Sequence, residues 1–393
     1  MTQKTLENFQ YQTFIIHYGE IALKKGNRSW FEDQLTKNIL LAVAKIGPGS
    51  VRRLSGRLHL EFENPHSGKQ VLEKLSKVFG VVKIAPAIHC QPDLSQIKLA
   101  AAKIADQKKF ATFAVRTKRG EKNFPLKSQQ VNEQVGGLIL EKTQAKVNLD
   151  QPEFTLNIEI LNKEAFVAGN YDFGRGGLPV GVSGKVACLI SGGIDSPVAA
   201  WRIMKRGCLP VYVHFHSAPY TSDASQDKVL DMVKILMQAQ PQTRLLVVPF
   251  GEIQQKVVLN VPPSWRIVIY RRLMVRIAEK IALREQALAL VTGEALSQVA
   301  SQTLTNLATI NEVVNLPILR PLVGMDKQEI VDEAKKIGTF ETAILPHDDC
   351  CSFLMPPNPV TRSTKFEADK VEQKLEIEQL VNLALDSVKV IDI

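Results

Sequence analysis

Hydrophobic and polar positions along this chain follow two regimes that meet near residue 175. In the first, short runs alternating with a period of two are interleaved with stretches of helical period. "QYQTFIIHYG" predicts a strand around Thr13–His17. Phe31, Leu35, Ile39 and Leu40 then fall at helical spacing and predict a helix around Asn27–Lys45, with Ser29 or Asn27 as its cap. "SVRRLSGRLHLEFE" alternates as a strand pair would, and "SGKQVLEKLSKVFGVVKIAPAIHC" predicts a helix ending at Gly80 and a further strand. That order suits a small ferredoxin-like α+β unit over residues 1–75. A second α+β unit over 76–173 reads as a helix in "LSQIKLAAAKIADQ", a strand in "KFATFAVRTKRG", a helix in "SQQVNEQVGGLILEKT" and a β-hairpin turning at Asn162–Glu164.

"YDFGRGGLPVGVSGK" interrupts both periods with glycines and a proline and marks a domain boundary. Beyond it the strands become almost continuously apolar: "VACLIS", "LPVYVHFH", "RLLVVPF" and "ALALVTG". Helices around Pro197–Arg206, Ser225–Ala239 and Ile267–Arg284 separate them, and the chain closes on a charged stretch read as helical. Near-continuous apolar strands suit a parallel sheet covered on both faces. The region 174–393 is therefore expected to be a doubly wound α/β domain, with its ligand site at the carboxyl ends of the strands.

Composition changes this picture in two places. With 45% hydrophobic and 23% charged residues the chain has an ordinary globular balance, and no apolar run is long enough for a membrane span. Its start, "MTQKTLENFQ", has no apolar segment resembling a secretory signal, so a cytoplasmic location is expected. The net charge of +9 is uneven: residues 1–175 carry 26 Lys and Arg against 17 Asp and Glu, and the remainder carries 23 of each. The basic excess thus lies on the two α+β units, as a polyanion-binding module joined to a neutral catalytic domain would have it. Lys118, Arg119, Lys122 and Lys127 cluster there around Phe124. A solvated lysine-rich surface is the plainer alternative. Five cysteines without CxxC or a Cys/His zinc spacing make neither a disulfide framework nor a structural zinc site.

Three apolar strands end in chemically marked loops: "SGGIDS", "HFHSAPYTS" and "TGEALSQVASQT". In a parallel sheet these would converge on one edge. The glycines of "SGGIDS" let backbone approach an anion closely, the following helix offers free N–H groups, and Ser191 and Ser196 add hydroxyls. The lysine-bearing G-x-x-x-x-G-K-[ST] loop is absent. The turn would therefore suit an expelled pyrophosphate, with Asp195 coordinating a magnesium ion on it. A structural glycine turn between strand and helix is the simpler reading of the six residues alone.

"SGGIDS" resembles the signature of the PP-loop ATP pyrophosphatases, which adenylate a carbonyl oxygen and release pyrophosphate. With "LISGGIDSPVAAWRIMKRG", "VHFHSAPYTS", "YRRLMVRIAE", "VTGEALSQVASQTL" and "ILRPLVGMDKQEI", essentially the whole chain is similar to the tRNA 4-thiouridine synthetase family. The resemblance implies a ferredoxin-like domain and a THUMP domain that bind tRNA, ahead of an adenylating domain, commonly in a homodimer. It implies ATP contacts at Leu189, Ile190, Ser191, Gly192, Gly193, Ser196, His214, Phe215, Arg271, Gly293 and Gln302. Residue chemistry agrees, with backbone groups and Phe215 for adenine, Arg271 for phosphate and Gln302 for a polar edge. Each also has an ordinary reading: Leu189 and Ile190 as core, His214 as a structural histidine, Arg271 and Arg272 as surface pairs on a helix.

Uracil O4 is a poor leaving group, and esterification with AMP makes its departure easy; a sulfur nucleophile must follow. In this family the sulfur-carrying cysteine sits in a loop like "LPHDDCCSFLMPPNPVTR". By spacing it matches Cys351 better than Cys350, and a cysteine desulfurase would charge it as a persulfide. Asp348 and Asp349 would raise a neighbouring thiol's pKa, so activation must come from elsewhere. Adjacent Cα atoms lie about 3.8 Å apart, below the roughly 4.4–6.8 Å of ordinary disulfides, so a Cys350–Cys351 bond is disfavoured. An iron–sulfur cluster, for which Cys188 or Cys208 would have to supply a third ligand, is disfavoured by the spacing. Two other functions remain open to the sequence: a PP-loop ligase or amidotransferase acting on another substrate, and a noncatalytic tRNA-binding protein. A second role, passing sulfur to thiamine thiazole synthesis, is also implied for some members.

Overall fold

The computed structural model describes residues 9–54, 56–120, 124–161, 163–218, 224–238, 240–346 and 358–393. The chain divides into two compact units, Met1–Pro179 and Val180–Ile393. In chain order the first contains β1 (Gln10–Tyr18), α1 (Arg28–Val43), β2 (Gly49–Leu54), β3 (Arg57–Ser67), α2 (Gly68–Leu75), β4 (Val81–Cys90), α3 (Leu94–Ala105), β5 (Thr112–Arg119), α4 (Ser128–Thr143), β6 (Lys146–Val147), β7 (Phe154–Ile160), β8 (Ala165–Ala168) and β9 (Asp172–Phe173). Among the described residues these nine strands form one sheet, in the order β2-β3-β1-β4-β8-β7-β5-β6, with β9 also on β4.

The two α+β units expected from the sequence thus share a sheet. β4 joins them, pairing antiparallel with β1 (Ile15↔Ala85) on one side and with β8 (Ile88↔Val167) on the other. Its run Ile84–Ala87 is buried throughout, and a strand apolar on both faces is stabilised at the centre of a sheet. Asn27 holds the N-cap position of α1 but makes no side-chain cap bond; Ser29 lies inside the helix. The first turn is tied instead by the Arg28–Glu32 pair at 2.9 Å.

The second unit contains β10 (Lys185–Leu189), α5 (Asp195–Lys205), β11 (Leu209–His216), α6 (Ala224–Leu236), β12 (Arg244–Pro249), α7 (Gly251–Asn260), α8 (Arg266–Arg284), β13 (Leu290–Val291), α9 (Leu304–Asn311), β14 (Ile318–Leu319), α10 (Lys327–Ile337), α11 (Phe340–Ala343), α12 (Lys365–Glu372), α13 (Ile377–Asp386) and β15 (Lys389–Asp392). The sheet runs β14-β13-β10-β11-β12-β15 and is parallel except for β15. The doubly wound reading is correct. Strand order reverses between β10 and β13, and this is where open α/β sheets hold their ligands. The closing stretch departs from the helical expectation: after α12 and α13, the chain ends as an antiparallel edge strand. Val390 and Ile391 pair with Leu246 and Leu245, covering an edge that β12 would otherwise leave open.

Arg272 is not the surface residue its helical spacing allowed. It is wholly buried in α8, with Nε 2.8 Å from Glu372 Oε1, Nη2 2.5 Å from Asp369 Oδ1 and Nη1 2.9 Å from the Thr309 carbonyl. Arg276 also reaches Glu372, at 2.7 Å. This charge cluster locks α12 and α9 to the long core helix.

Candidate active site

The three marked loops meet at the carboxyl ends of β10, β11 and β13 and line a cleft of about 300 Å³. From the first come Leu189, Ile190, Ser191, Gly193, Asp195 and Ser196; from the second, His214 and Phe215; from the third, Gly293 and Gln302. Arg271 reaches the cleft from α8. Gly192 is buried between its two cleft-lining neighbours. Residues up to 113 positions apart in sequence are thereby brought into one wall.

The glycine turn is held open by its serines. Ser191 N donates to Ser196 Oγ at 2.9 Å, the two hydroxyls lie 3.2 Å apart, and Gly193 N points at Ser191 Oγ from 3.4 Å. α5 begins at once, with the acidic Asp195 in its first turn, where the helix dipole favours negative charge, and Pro197 where no N–H partner is needed. Gly293 is required by proximity. A Cβ there would stand 2.7 Å from Ser196 Cα and N and 3.0 Å from the Asp195 carbonyl carbon, so only glycine lets β13 pass the start of α5.

On the apolar side, Phe215 packs edge-on against Phe250 beside Leu189 and Met274. His214 is buried, with Nδ1 3.0 Å from the Ile190 carbonyl, which fixes the Nδ1–H tautomer and braces the two strand ends. Gln302 is buried as well, and its Oε1 has no hydrogen-bond partner among the described residues. A buried amide oxygen left over at a cleft wall is a ready acceptor for a ligand's amino group.

Several site residues were not legible in the chain. Lys327 Nζ sits 2.6 Å from Asp195 Oδ1, and Gln298 Nε2 sits 2.8 Å from Oδ2. The glycine turn has no lysine of its own, but tertiary structure supplies one from a helix 132 residues away. Its placement is determined locally. Asp326 and Glu329 form a capping box that starts α10 at Lys327, and Arg202–Glu333, 2.5 Å at the closest, fastens α10 to α5. Glu294 is buried and accepts from Thr292 Oγ1 at 2.9 Å and Arg320 Nε at 2.8 Å, with Arg271 3.9 Å away. Arg271 and Arg320 thus share one carboxylate. "GMDKQEI" contained the Lys327 signal, but nothing in its spacing pointed to Asp195.

Cys350 and Cys351 lie outside the described residues, as does Lys122. Cys188 and Cys208 are buried, and burial pushes both thiols above their usual range, Cys188 most strongly, whereas a metal ligand must be thiolate. On the first unit Lys118 and Lys127 are exposed. Arg119 is spent locally, Nη1 donating to the Phe124 carbonyl at 3.2 Å and the Leu126 carbonyl at 2.9 Å. It folds 124–127 back onto the end of β5, which keeps Lys118 and Lys127 on neighbouring elements.

Family models match three stretches of the chain: the ThiI ferredoxin-like domain over residues 13–85, the THUMP domain over 92–168 and the Thiamine biosynthesis protein (ThiI) over 181–377. A "Probable tRNA sulfurtransferase" of Thermoanaerobacter sp. is 43% identical over 369 residues, covering 94% of this chain and 96% of that protein. The chain belongs to the ThiI family. A Staphylococcus aureus protein of the same name is 36% identical over 386 residues, covering 98% and 95% of the two chains. The crystal structure of a 4-thiouridine synthetase–RNA complex with bound ATP matches at a TM-score of 0.90 and 36% identity, over 98% of this chain and 100% of that one. The ThiI architecture, with ferredoxin-like and THUMP regions before a PP-loop domain, is therefore that of this protein. Among the described residues no helix is long and apolar enough to cross a membrane.

Proposed function

We propose that the chain is a tRNA sulfurtransferase that converts a uridine of tRNA to 4-thiouridine at the expense of ATP. The observation that carries this reading is the strand-end cleft, where a glycine turn suited to an anion, an apolar wall with an orphaned amide, and Asp195 with Lys327 bonded to it, meet. Proteins similar over nearly the full chain bear the matching name, and one was crystallised with RNA and ATP. Leu189, Ile190, Phe215 and Gln302 would take adenine; Ser191, Gly192, Gly193, Ser196, Gly293 and Arg271 would take the phosphates, with His214 bracing the wall. We assign adenylation to the PP-loop region from 174 onward and tRNA binding to the ferredoxin-like (1–75) and THUMP (76–173) regions.

In the first step uracil O4 attacks the α-phosphate, the α–β anhydride bond breaks and pyrophosphate leaves. The turn's N–H groups, its serine hydroxyls and Lys327 face the charge that develops on the departing group. Asp195 sets the position of Lys327 and Gln298. A magnesium ion held by one carboxylate and substrate phosphates needs no protein ligand cluster, and among the described residues no group of three His, Cys, Asp or Glu forms one. Asp195 fits that minimal role in exchange with Lys327, and the ion would neutralise phosphate charge there. In the second step the terminal sulfur of a Cys351 persulfide, charged by a cysteine desulfurase, attacks C4, and AMP departs with the former O4. A thiol, from a second cysteine or an external reductant, then cleaves the S–S link and leaves sulfur on the base. The family's description as a thiamine biosynthesis protein supports a second outlet for that sulfur in thiamine synthesis.

Pyrophosphate release with and without unmodified tRNA, followed by analysis for 4-thiouridine, tests the reading. Release stimulated by tRNA with thiouridine formed is the expected result. Cys351→Ser should abolish thiouridine while pyrophosphate release persists; the same outcome from Cys350→Ser alone would move the carrier by one residue. tRNA-independent release would favour a ligase acting on another acceptor.

Two further results are expected. Gly293→Ala forces β13 and α5 apart at a cost of about 1–3 kcal/mol, so ATP affinity should fall roughly tenfold, read by equilibrium dialysis. Lys118→Gln with Lys127→Gln should weaken tRNA binding and lower the slope of log K against log salt by roughly 0.7–0.9 for each phosphate no longer neutralised. ATP affinity should not change. An unaltered salt slope would remove these lysines from the RNA surface.

A further inference from the structure

Arg271 and Arg272 adjoin on α8 and are treated in opposite ways. Arg272 is wholly buried and bonded to two carboxylates, Glu372 and Asp369. Arg271 lines the cleft, and Glu294 Oε1 stays 3.9 Å from its Nη1. Charge-assisted bonds are about 2.7–2.9 Å long, so a shift of about 1 Å would close this pair. Glu294 lines the same cleft and is only 3% exposed, and a carboxylate shielded from water is drawn strongly to a neighbouring cation. Something holds it back.

The restraint comes from the neighbouring strand. β13 and β14 are parallel partners, with Val291 opposite Leu319, and Thr292 N extends the ladder to the Leu319 carbonyl at 3.1 Å. Glu294 and Arg320 therefore leave the sheet on adjacent strands. Arg320 Nε donates to Glu294 Oε2 at 2.8 Å, and Thr292 Oγ1 donates to the same oxygen at 2.9 Å. Arg320 is fixed in turn, its Nη1 donating to Asn311 Oδ1 at 3.3 Å and to the Ile318 carbonyl at 3.4 Å. Both bonds to the carboxylate fall on Oε2 and pull it toward β14, away from α8. The cluster is also short of acceptors. Two guanidiniums share one carboxylate, a net charge of +1, and Arg320 Nη2 is buried with no hydrogen-bond partner among the described residues. A purely structural pair would balance its charges and satisfy its donors. This one leaves a positive charge at the cleft, as an anionic ligand requires.

We propose that Arg320 is a positioning residue for nucleotide phosphate: by holding Glu294 on the β14 side, it keeps Arg271 from capture and leaves that guanidinium to the ligand. This rests on the reading of the cleft as an ATP site with Arg271 on the phosphates. Without Arg320, Glu294 keeps only the Thr292 hydroxyl, turns to Arg271 and cancels its charge.

The experiment measures Kd for ATP and for adenosine, which carries no phosphate, by equilibrium dialysis of the full chain, per folded molecule. Arg320→Met should weaken ATP about tenfold, the scale of one bond to a charged group, and leave adenosine unchanged. Adding Glu294→Gln to that chain removes the competitor and should return ATP affinity to within about threefold of the parent. A merely structural pair behaves otherwise, because a distorted cleft weakens both ligands together. Arg320→Gln keeps a neutral donor for Glu294; it should show the same pattern at smaller amplitude and serves if Arg320→Met does not fold. ATP affinity within about twofold of the parent in both variants overturns the proposal, as does a parallel loss for adenosine or a loss that Glu294→Gln does not recover. Arg271→Met runs alongside. If the parent shows no preference for ATP over adenosine, or Arg271→Met leaves that preference intact, the phosphate role of Arg271 is wrong and the proposal falls with it. If Arg271→Met removes the preference and Arg320→Met does not, only the positioning proposal falls.

Discussion

Asp195→Asn is expected to reduce tRNA-dependent pyrophosphate release by about 10²- to 10³-fold, the scale of losing one preorganised charged group at a reacting phosphate. Folding and tRNA binding should be unchanged. The carboxylate occupies the first turn of α5 and holds Lys327 and Gln298 by its two oxygens. An amide keeps the shape, but it cannot hold the lysine by charge or share a metal ion with departing phosphate. Lys327→Met should reproduce most of the loss, and the double variant should cost much less than the sum, because the two side chains act as a pair. Pyrophosphate release by Asp195→Asn at the parent rate would refute the role assigned to this pair.

Arg272→Met should destabilise the second unit by about 3 kcal/mol, measured by chemical denaturation followed on that unit. The substitution leaves Glu372 buried with Arg276 as its remaining partner. Restoring neutrality by adding Glu372→Leu should recover most of the loss, because a buried pair replaced by apolar groups costs far less than half a pair. The pH dependence has a definite sign. Burial raises the Glu372 pKa, but bonds from Arg276 and Arg272 outweigh it and hold the group below its ordinary 4.5. A carboxylate depressed on folding contributes stability above its unfolded pKa and loses it as pH falls through the folded value. The parent should therefore lose stability below about pH 4.5, and the double variant should lack that component. A loss under about 1 kcal/mol in Arg272→Met would mean that Arg276 alone carries the carboxylate.

Much of this protein follows from local sequence. Near-continuous apolar strands between long helical stretches specify a covered parallel sheet, because both faces must be buried. "SGGIDS" specifies a tight strand-to-helix turn, because its glycines and serines act within six residues of one another. The convergence of the loops that carry Ser191, Gly293 and Gln302 was legible because each loop follows a strand, and the strand ends of a parallel sheet share an edge; the choice of Gly293 and Gln302 within them came from the family resemblance. The basic excess of the first half was countable before any fold was known.

Other features depend on distance in space, which spacing along the chain does not encode. Lys327 meets Asp195 only because a capping box and the Arg202–Glu333 pair set α10 against α5. Arg272 looked like a helix-surface charge, and α12, a hundred residues on, buried it. The terminal "VKVIDI" reads as the continuation of a helix until the open edge of β12 offers it backbone partners. Asn306 is one polar residue in an amphipathic run, and its bonds to Ala300, Val360 and Ser363 exist only because the fold brings those segments together. Local propensity and pattern therefore determined the elements and the turn. The pairing of charges and the sharing of one sheet by the two α+β units were decided by long-range packing, where buried polar groups must find partners wherever the fold brings them.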